Sequence, residues 1–330
     1  MNFATAASSD SLARDSSKQL VLFHRDFRGF TGGHLKVWDY FNHVASSPAY
    51  EPRIAFSPET SWDSTNPWSD SRGYVVEWQS EKADLLFLAG TDWRVVPEAD
   101  REHFRKPIIN LIQHPRHAEP KSELRAFLKN RAVRICVSEE VADAIKATEE
   151  VNGPVFAIPD GIDLSSVPKG KPWSERAIDL LICGLKAPEL TRDVQAAFAD
   201  QNWTIQCLTK WIPRQDYLAL LSSAKITVFL PRPVEGFYLP SLEGMAAGTI
   251  VVCPDCLGNR GFCEDKLNCF RPQYATDEIG LAARIALQQS QVERARMLEN
   301  AQVTVSRHSL EAERKSFLQV LAKVEGLWTA

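Results

Sequence analysis

An α/β protein built from two Rossmann-like halves is the fold class that the sequence predicts. Short, continuous apolar runs alternate with stretches of helical periodicity along its 330 residues. That is the pattern of parallel strands covered on both faces. The alternation runs through once on each side of a polar, Pro-rich segment, SSVPKGKPWSE (165–175). The length suits two domains.

In the first half, QLVLFHR (19–25) reads as a strand closed by a Gly-rich loop, GFTGGH. LKVWDYFNHVAS follows as a helix, with Leu35, Val37, Trp38, Phe41 and Val44 at helical spacing. PRIAFSP, ADLLFLAG and PIINLIQHP are further strands, the last taken to end at His114. SELRAFLKNRA is predicted helical, VRICVS a strand, EEVADAIKA a helix, and PVFAIPDGID a strand with its turn. Beyond the linker, IDLLICG, WTIQCL, KITVFLP and TIVVCP are strands, and TRDVQAAFAD, RQDYLALLSSA and LPSLEGMAAG helices. Residues 276–306 are expected to form one long helix. Residues 309–328 form a last one, with Ser309 as N-cap and Glu311 and Glu313 in its first turn. The expected layout is a flexible tail at 1–17, domains at 18–165 and 166–305, and a closing helix from 306 to 330.

Composition excludes several classes of function. The formal charge is −4, so no basic surplus argues for nucleic acid. No stretch approaches the roughly 18 apolar residues of a spanning helix. Seven cysteines stand at irregular spacings without a secretory signal, which reads as reduced thiols in a cytoplasmic protein. The first residues are rich in Ser, Ala and Asp, without the apolar core of a targeting peptide.

The segment EGFYLPSLEGMAAG (235–248) carries the chemistry. Glu235 and Gly236 stand at the end of a buried strand, where open α/β sheets bind ligands. The next helix begins near Leu239-Pro240, and Pro suits a first turn. Its N–H groups and positive dipole end suit a phosphate. Glu243, one turn in, can accept hydrogen bonds from the two hydroxyls of a ribose, and Glu235 can reach a second polyol. Two acids around one anion-binding helix end therefore fit a sugar nucleotide.

FLPRPVEGFYLPSLEGMAAGTIVVCPD resembles the E-x7-E signature of retaining glycosyltransferases with the GT-B fold, of the family-four type. It matches in register at Pro231, Glu235, Gly236, Phe237, Leu239, Pro240, Glu243, Met245, Ala246, Gly248, Val251 and Val252. Weaker likenesses are TGGH in the first loop, QHP after a strand, CVSEEVADAI, IPDGID and the closing helix. The resemblance implies two Rossmann-like domains facing across a cleft, the first on the acceptor side and the second on the donor side. The closing helix would cross back to the first. It implies that Glu243 holds the ribose and Glu235 the donor sugar. The backbone of Phe237, Tyr238 and Leu239 would face the sugar and diphosphate. Gly32 and Gly33 would lie near the phosphates and acceptor, where only a bare backbone approaches so closely. His114 matches the family histidine that touches the donor sugar.

One departure concerns charge. The family carries Gly-Arg after the first strand of the second domain, then a Lys, and both bases neutralise the diphosphate. Here the stretch is ICGLKAPELTRD: Gly184 matches, Leu185 replaces Arg, and Leu190 falls near the Lys position. Lys186, Arg192 and Lys210 are the substitutes at hand. The Cys253/Cys256 pair can begin a zinc site, but the spacings to Cys263 and Cys269 fit no common pattern, so no metal is expected. Trp62, Trp68, Trp78 and Trp93 offer either packing or an acceptor platform. Lys121, Arg125 and Lys129 recur on a short basic helix that suits either solvent or an anionic membrane.

The expected protein is thus a retaining, metal-independent hexosyltransferase without a cofactor. Its donor is a UDP- or GDP-linked sugar, and its acceptor a saccharide or lipid-linked saccharide in surface polysaccharide synthesis. It would lie in the cytoplasm, with peripheral membrane contact at the inner face as a further expectation. The alternatives are a GT-B epimerase or phosphorylase, or a catalytically silent sugar-nucleotide-binding partner.

Overall fold

The computed structural model describes residues 17–101 and 104–329. The tail predicted at 1–17 falls outside these residues except for Ser17. Contacts divide the chain into two units. The first takes the chain up to Val137, Val141–Ile158 and the chain from Arg314 onward; the second takes Ser138–Glu140 and Pro159–Glu313.

The first unit runs β1 (Gln19–Arg25), α1 (Gly32–Ala45), β2 (Tyr50–Phe56), β3 (Leu85–Ala89), α2 (Glu98–Arg101), β4 (Ile108–Ile112), α3 (Glu123–Ala126), β5 (Val133–Cys136), α4 (Glu139–Lys146) and β6 (Val155–Ala157). Its six strands pair in parallel in the order β2-β1-β3-β4-β5-β6. β3 and β4 are buried at every position, as continuous apolar runs require in a sheet covered on both faces. α1 starts where the Thr31 side chain accepts a hydrogen bond from the His34 amide, and it buries Val37, Tyr40, Phe41 and Val44.

The second unit continues with β7 (Ile178–Cys183), α5 (Pro188–Ala196), β8 (Ile205–Leu208), α6 (Arg214–Ser223), β9 (Ala224–Phe229), α7 (Leu239–Ala246), β10 (Ile250–Val252), α8 (Thr276–Gln288) and α9 (Gln291–Arg307). The strands are parallel in the order β10-β9-β7-β8. Alternate residues feed two cores: Leu181, Phe229 and Val251 pack with α7 and α9, while Leu180, Ile182, Ile226 and Val228 pack with α5 and α8. α10 (Leu310–Leu321) leads out of this unit into the first, and α11 (Val324–Thr329) ends the described chain.

Both strand orders reverse direction once, between β1 and β3 in the first sheet and between β7 and β9 in the second. A crevice opens at the carboxyl ends of the strands at each such reversal; Gly32 and Gly33 follow β1, Lys186 follows β7 and Glu235 follows β9, all strands that border these reversals.

Several expected elements differ. The long helix expected over 276–306 is two helices. Ser290 stops the first and caps the second, its hydroxyl accepting from the Glu293 amide while the Glu293 carboxylate accepts from the Ser290 amide. The last helix likewise breaks into α10 and α11, although Ser309 does cap α10 through the Ala312 amide. The basic helix at 121–131 shrinks to one α-turn followed by a 3₁₀ turn. Arg125 is tied there to the Ala118 carbonyl and Glu150. Trp68 and Trp93 are core residues, and the Arg72 guanidinium covers the Trp62 ring at 3.5 Å. Trp68 and Trp93 are therefore packing residues and cannot take part in a sugar platform. No helix among the described residues is long and apolar enough to cross a membrane.

The closing segment belongs to the core of the first unit. Phe317 is fully buried against Tyr40 (ring centroids 4.8 Å apart) and Phe87 (6.2 Å). Arg131 donates from Nε to the Trp328 carbonyl at 2.9 Å, and the Tyr50 hydroxyl donates to the Leu321 carbonyl at 3.1 Å. Phe317→Ala is expected to destabilise the protein by about 3–5 kcal/mol through lost burial and a residual cavity. Urea unfolding followed by circular dichroism reads this, and a change below about 1 kcal/mol would show that the segment is not part of that core.

Candidate active site

The second unit holds the two glutamates at the reversal between β7 and β9. Glu235 follows β9 and is 8% exposed. Its carboxylate accepts from Lys186 Nζ at 2.8 Å on each oxygen, and from the Arg232 amide at 3.1 Å. Lys186 follows β7, so this ion pair spans the reversal itself. The Lys186 ammonium also lies 6.0 Å from the centre of the Tyr238 ring.

Glu243 sits inside α7 and is 5% exposed. Its Oε1 accepts from Arg214 Nη1 at 2.6 Å. Burial pushes its carboxyl pKa up, and the Arg214 charge and hydrogen bond pull it down, with burial the larger effect. Arg214 was not singled out from the sequence. A signal existed: a base in the first turn of a helix opposes the helix dipole, so it calls for an acid nearby.

A turn behind the Glu235 loop fixes its path. The Tyr238 amide donates to the Gly258 carbonyl at 2.9 Å, and the Leu257 amide to the Pro233 carbonyl at 3.0 Å. A Cβ at Gly258 would stand 3.0 Å from both Glu235 Cβ and the Tyr238 nitrogen, so glycine is needed for this approach. The Tyr238 amide, expected to face the diphosphate, is thus committed to the protein. Gly236 is buried, and Phe237 stacks on Phe262 at 4.9 Å. Leu239 opens α7, with Pro240 in its first turn. Cys253 and Cys256 belong to the same turn: Asn259 Nδ2 donates to Cys253 Sγ at 3.2 Å, and Asn259 Oδ1 accepts from the Cys256 amide at 3.2 Å. Burial raises the Cys253 thiol pKa well above its usual value. None of the seven cysteines forms a disulfide. Among the described residues, no group of three His, Cys, Asp or Glu side chains is placed to hold a metal.

The other substitutes for the missing arginine lie elsewhere. Arg192 turns outward on α5 beside Glu189, at 3.8 Å. Lys210 is exposed beyond β8, and the structure pairs neither glutamate with it. Gly184 has a packing reason, because a Cβ there would overlap Thr191 Oγ1 and crowd Leu230. Leu185 is 50% exposed and brings no charge.

In the first unit the Gly-rich segment and His114 come together through Gln113. Gly32 and Gly33 are the first residues of α1, and Gln113 Nε2 donates to the Gly33 carbonyl at 3.1 Å. A Cβ at Gly32 would meet nothing within 4 Å, so its surroundings are open. His114 does not end a strand: β4 stops at Ile112, and His114 caps a 3₁₀ turn over Pro115–Ala118, its Nδ1 accepting from the Arg116 amide at 3.0 Å.

A buried network at the carboxyl ends of β1 and β3 was also missed. Arg25 donates from Nη1 to Asp92 Oδ2 at 2.8 Å and from Nη2 to His34 Nδ1 at 3.1 Å. The Ala89 amide donates to the same Asp92 oxygen at 3.0 Å. Burial first, and then the Arg25 charge, bring the His34 pKa down from 6.5 to about 4. His34 is therefore neutral at pH 7, with its proton on Nε2.

The His34 shift has a consequence for stability. Between pH 6.5 and about 4 the unfolded chain holds a proton at His34 that the folded chain refuses, so stability falls as pH drops through that window. His34→Gln, which keeps an acceptor for Arg25, is expected to lose less stability than the native protein between pH 7 and pH 4.5. Denaturant titrations at the two pH values read the difference. Parallel losses in both proteins would show that His34 is not held neutral.

The family model described as glycosyl transferases group 1 matches residues 165–304. No curated protein matches the chain in sequence. Among solved structures, the chain is similar to a sucrose-phosphate synthase from Thermosynechococcus elongatus. The identity is 12% and the TM-score 0.72, over 94% of this chain and 100% of that one. It is also similar to HepE of Anabaena, solved in complex with UDP-glucose, with 14% identity and a TM-score of 0.74 over 92% and 99% of the two chains. A glycosyltransferase from Rickettsia africae aligns at 11% identity and a TM-score of 0.69, over 93% and 98%. These likenesses show the fold, and the family match shows the class of the second unit. Residues 165–304 match the glycosyl transferases group 1 model, and the chain has the α/β fold of the GT-B glycosyltransferase structures it resembles.

Proposed function

We propose that the protein is a retaining glycosyltransferase that moves a hexose-like sugar from a nucleoside diphosphate sugar to an acceptor hydroxyl. The observation that carries this reading is the pair of buried glutamates, Glu235 and Glu243, at the strand-order reversal of the group 1 domain, each facing a base. Glu243 would accept from the ribose hydroxyls, and Glu235 would face the donor sugar. The amino-terminal end of α7 and nearby bases would meet the diphosphate. Gly236, Phe237 and Leu239 would line the sugar and diphosphate.

The first unit would take the acceptor, with the open backbone at Gly32; Gly33 and His114 keep the roles that the family resemblance implies for them, near the phosphates and the donor sugar. The bond from the anomeric carbon to the diphosphate would break as the acceptor oxygen bonds to the same face. The hydroxyl proton would pass to the departing phosphate oxygen, and donors placed in advance would stabilise the charge left there. No metal or cofactor enters this scheme. HepE was solved with UDP-glucose, which supports a uridine diphosphate sugar as the donor to test first. A glycan or lipid-linked saccharide of surface polysaccharide synthesis is the acceptor class we favour.

Two substitutions separate the roles of the glutamates. Glu243→Ala is expected to weaken nucleoside diphosphate binding by about 1.5–3 kcal/mol, whether or not a sugar is attached. Glu235→Gln is expected to leave nucleoside diphosphate affinity nearly intact and to lower turnover by about 10²–10³. Calorimetry and a transfer assay on the same samples test both. Unchanged nucleotide affinity in the Glu243 variant, or full activity in the Glu235 variant, would contradict these roles.

A further inference from the structure

We infer that Arg214 is the guanidinium that grips the diphosphate of the donor, taking over from the base that Leu185 lacks. The inference rests on the reading of the second unit as a nucleotide-sugar site.

The need for a base is electrostatic. Glu235 and Glu243 are buried carboxylates, each paired with a base, and a diphosphate placed beside them adds negative charge. Like charges in a desolvated crevice repel strongly. Something cationic must therefore stay in the crevice when the donor arrives. The loop after β7 offers one ammonium, Lys186, already chelated by both oxygens of Glu235. Leu185 offers nothing, and Arg192 points outward beside Glu189.

Arg214 is placed for the task. It is the first residue of α6, just beyond β8, and the strand next to β8 is β7. Its Nη1 bonds Glu243 at 2.6 Å, while 36% of its side chain is exposed. It therefore reaches from the buried carboxylate toward solvent. The covalent structure of a nucleotide supplies the next step. The diphosphate hangs from the ribose whose hydroxyls Glu243 would hold, so a guanidinium on Glu243 lies one sugar ring from the first phosphate. A guanidinium carries five N–H donors on a planar fork. It can keep one edge on the carboxylate and turn another to a phosphate. An arginine in the first turn of a helix is poorly placed for the helix dipole, and the acid and the ligand together account for it.

A merely structural Arg214 would do something different. It would hold Glu243 in position and so support binding of the ribose alone. Nucleosides and nucleotides separate the two roles. Uridine, UMP and UDP are titrated by NMR, which reads millimolar affinities, into native protein and into Arg214→Gln and Arg214→Lys. The guanosine series is used if the native protein prefers GDP. Arg214→Gln is expected to lose about tenfold to a hundredfold in affinity for UDP and less than about twofold for uridine. Arg214→Lys, which keeps the charge, is expected to recover part of the UDP affinity without changing that for uridine.

Equal losses for uridine and UDP, in either variant, would overturn the inference, because they mark a residue that acts only through Glu243. Unchanged UDP affinity in Arg214→Gln would overturn it as well. If Arg214→Gln does not fold, Arg214→Lys decides: a loss confined to the phosphorylated ligands supports the inference. Native protein that binds neither UDP nor GDP would overturn the donor-site reading itself, a different result from selective or equal loss in the variants.

Discussion

Two carboxylates buried at the ends of parallel strands set the terms for the second unit. A carboxylate out of water is costly unless it is paired and hydrogen-bonded. Glu235 meets this with both oxygens on Lys186 and the Arg232 amide, and Glu243 with Arg214. The order β10-β9-β7-β8 makes the first pairing possible, because it sets β7 and β9 side by side and brings the loops that follow them together. Each acid is thus held by one base, Glu235 by Lys186 and Glu243 by Arg214.

Much of the surrounding sequence serves that set. Gly258 lets the turn after β10 press on the Glu235 loop, and Asn259 closes the turn through Cys253, Pro254 and Cys256. Cysteines that resemble a metal-binding pair on paper are small buried side chains in this turn, and burial keeps the Cys253 thiol protonated. Gly184 admits Thr191 and so lets α5 pack close to the end of β7, the strand that Lys186 follows. Residues that a motif would mark for the ligand therefore have a first duty in holding backbone.

The fold was legible because its strands are short continuous apolar runs, and because E-x7-E sits where strand, loop and helix meet. Runs such as IINLI and IDLLIC have no plausible place except inside a covered sheet. What was not legible depended on a single residue or on distance through space. Ser290 interrupts an unbroken helical pattern, since a capping box works as well within a long amphipathic run as at its start. Trp68 lies in a polar loop yet is buried, because the loop folds back over α1, where the Trp38 ring meets Trp68 edge-on at 5.2 Å. The nearest base in sequence to the family's missing arginine is Lys186, and it does pair with Glu235. The partner of Glu243 is twenty-nine positions away, on another helix, and sequence spacing alone offers no route to it. The Arg25–His34–Asp92 network was hidden for the same reason, being drawn from two strand ends and a helix start.

The central claim is that Glu243 receives the ribose of a nucleotide. A crystal structure of the protein soaked with UDP tests it most directly. The account predicts both ribose hydroxyls within about 3 Å of the Glu243 carboxylate, with the diphosphate toward the amino-terminal end of α7. A nucleotide bound with its ribose away from Glu243, while Glu243 keeps only its protein partners, would contradict it.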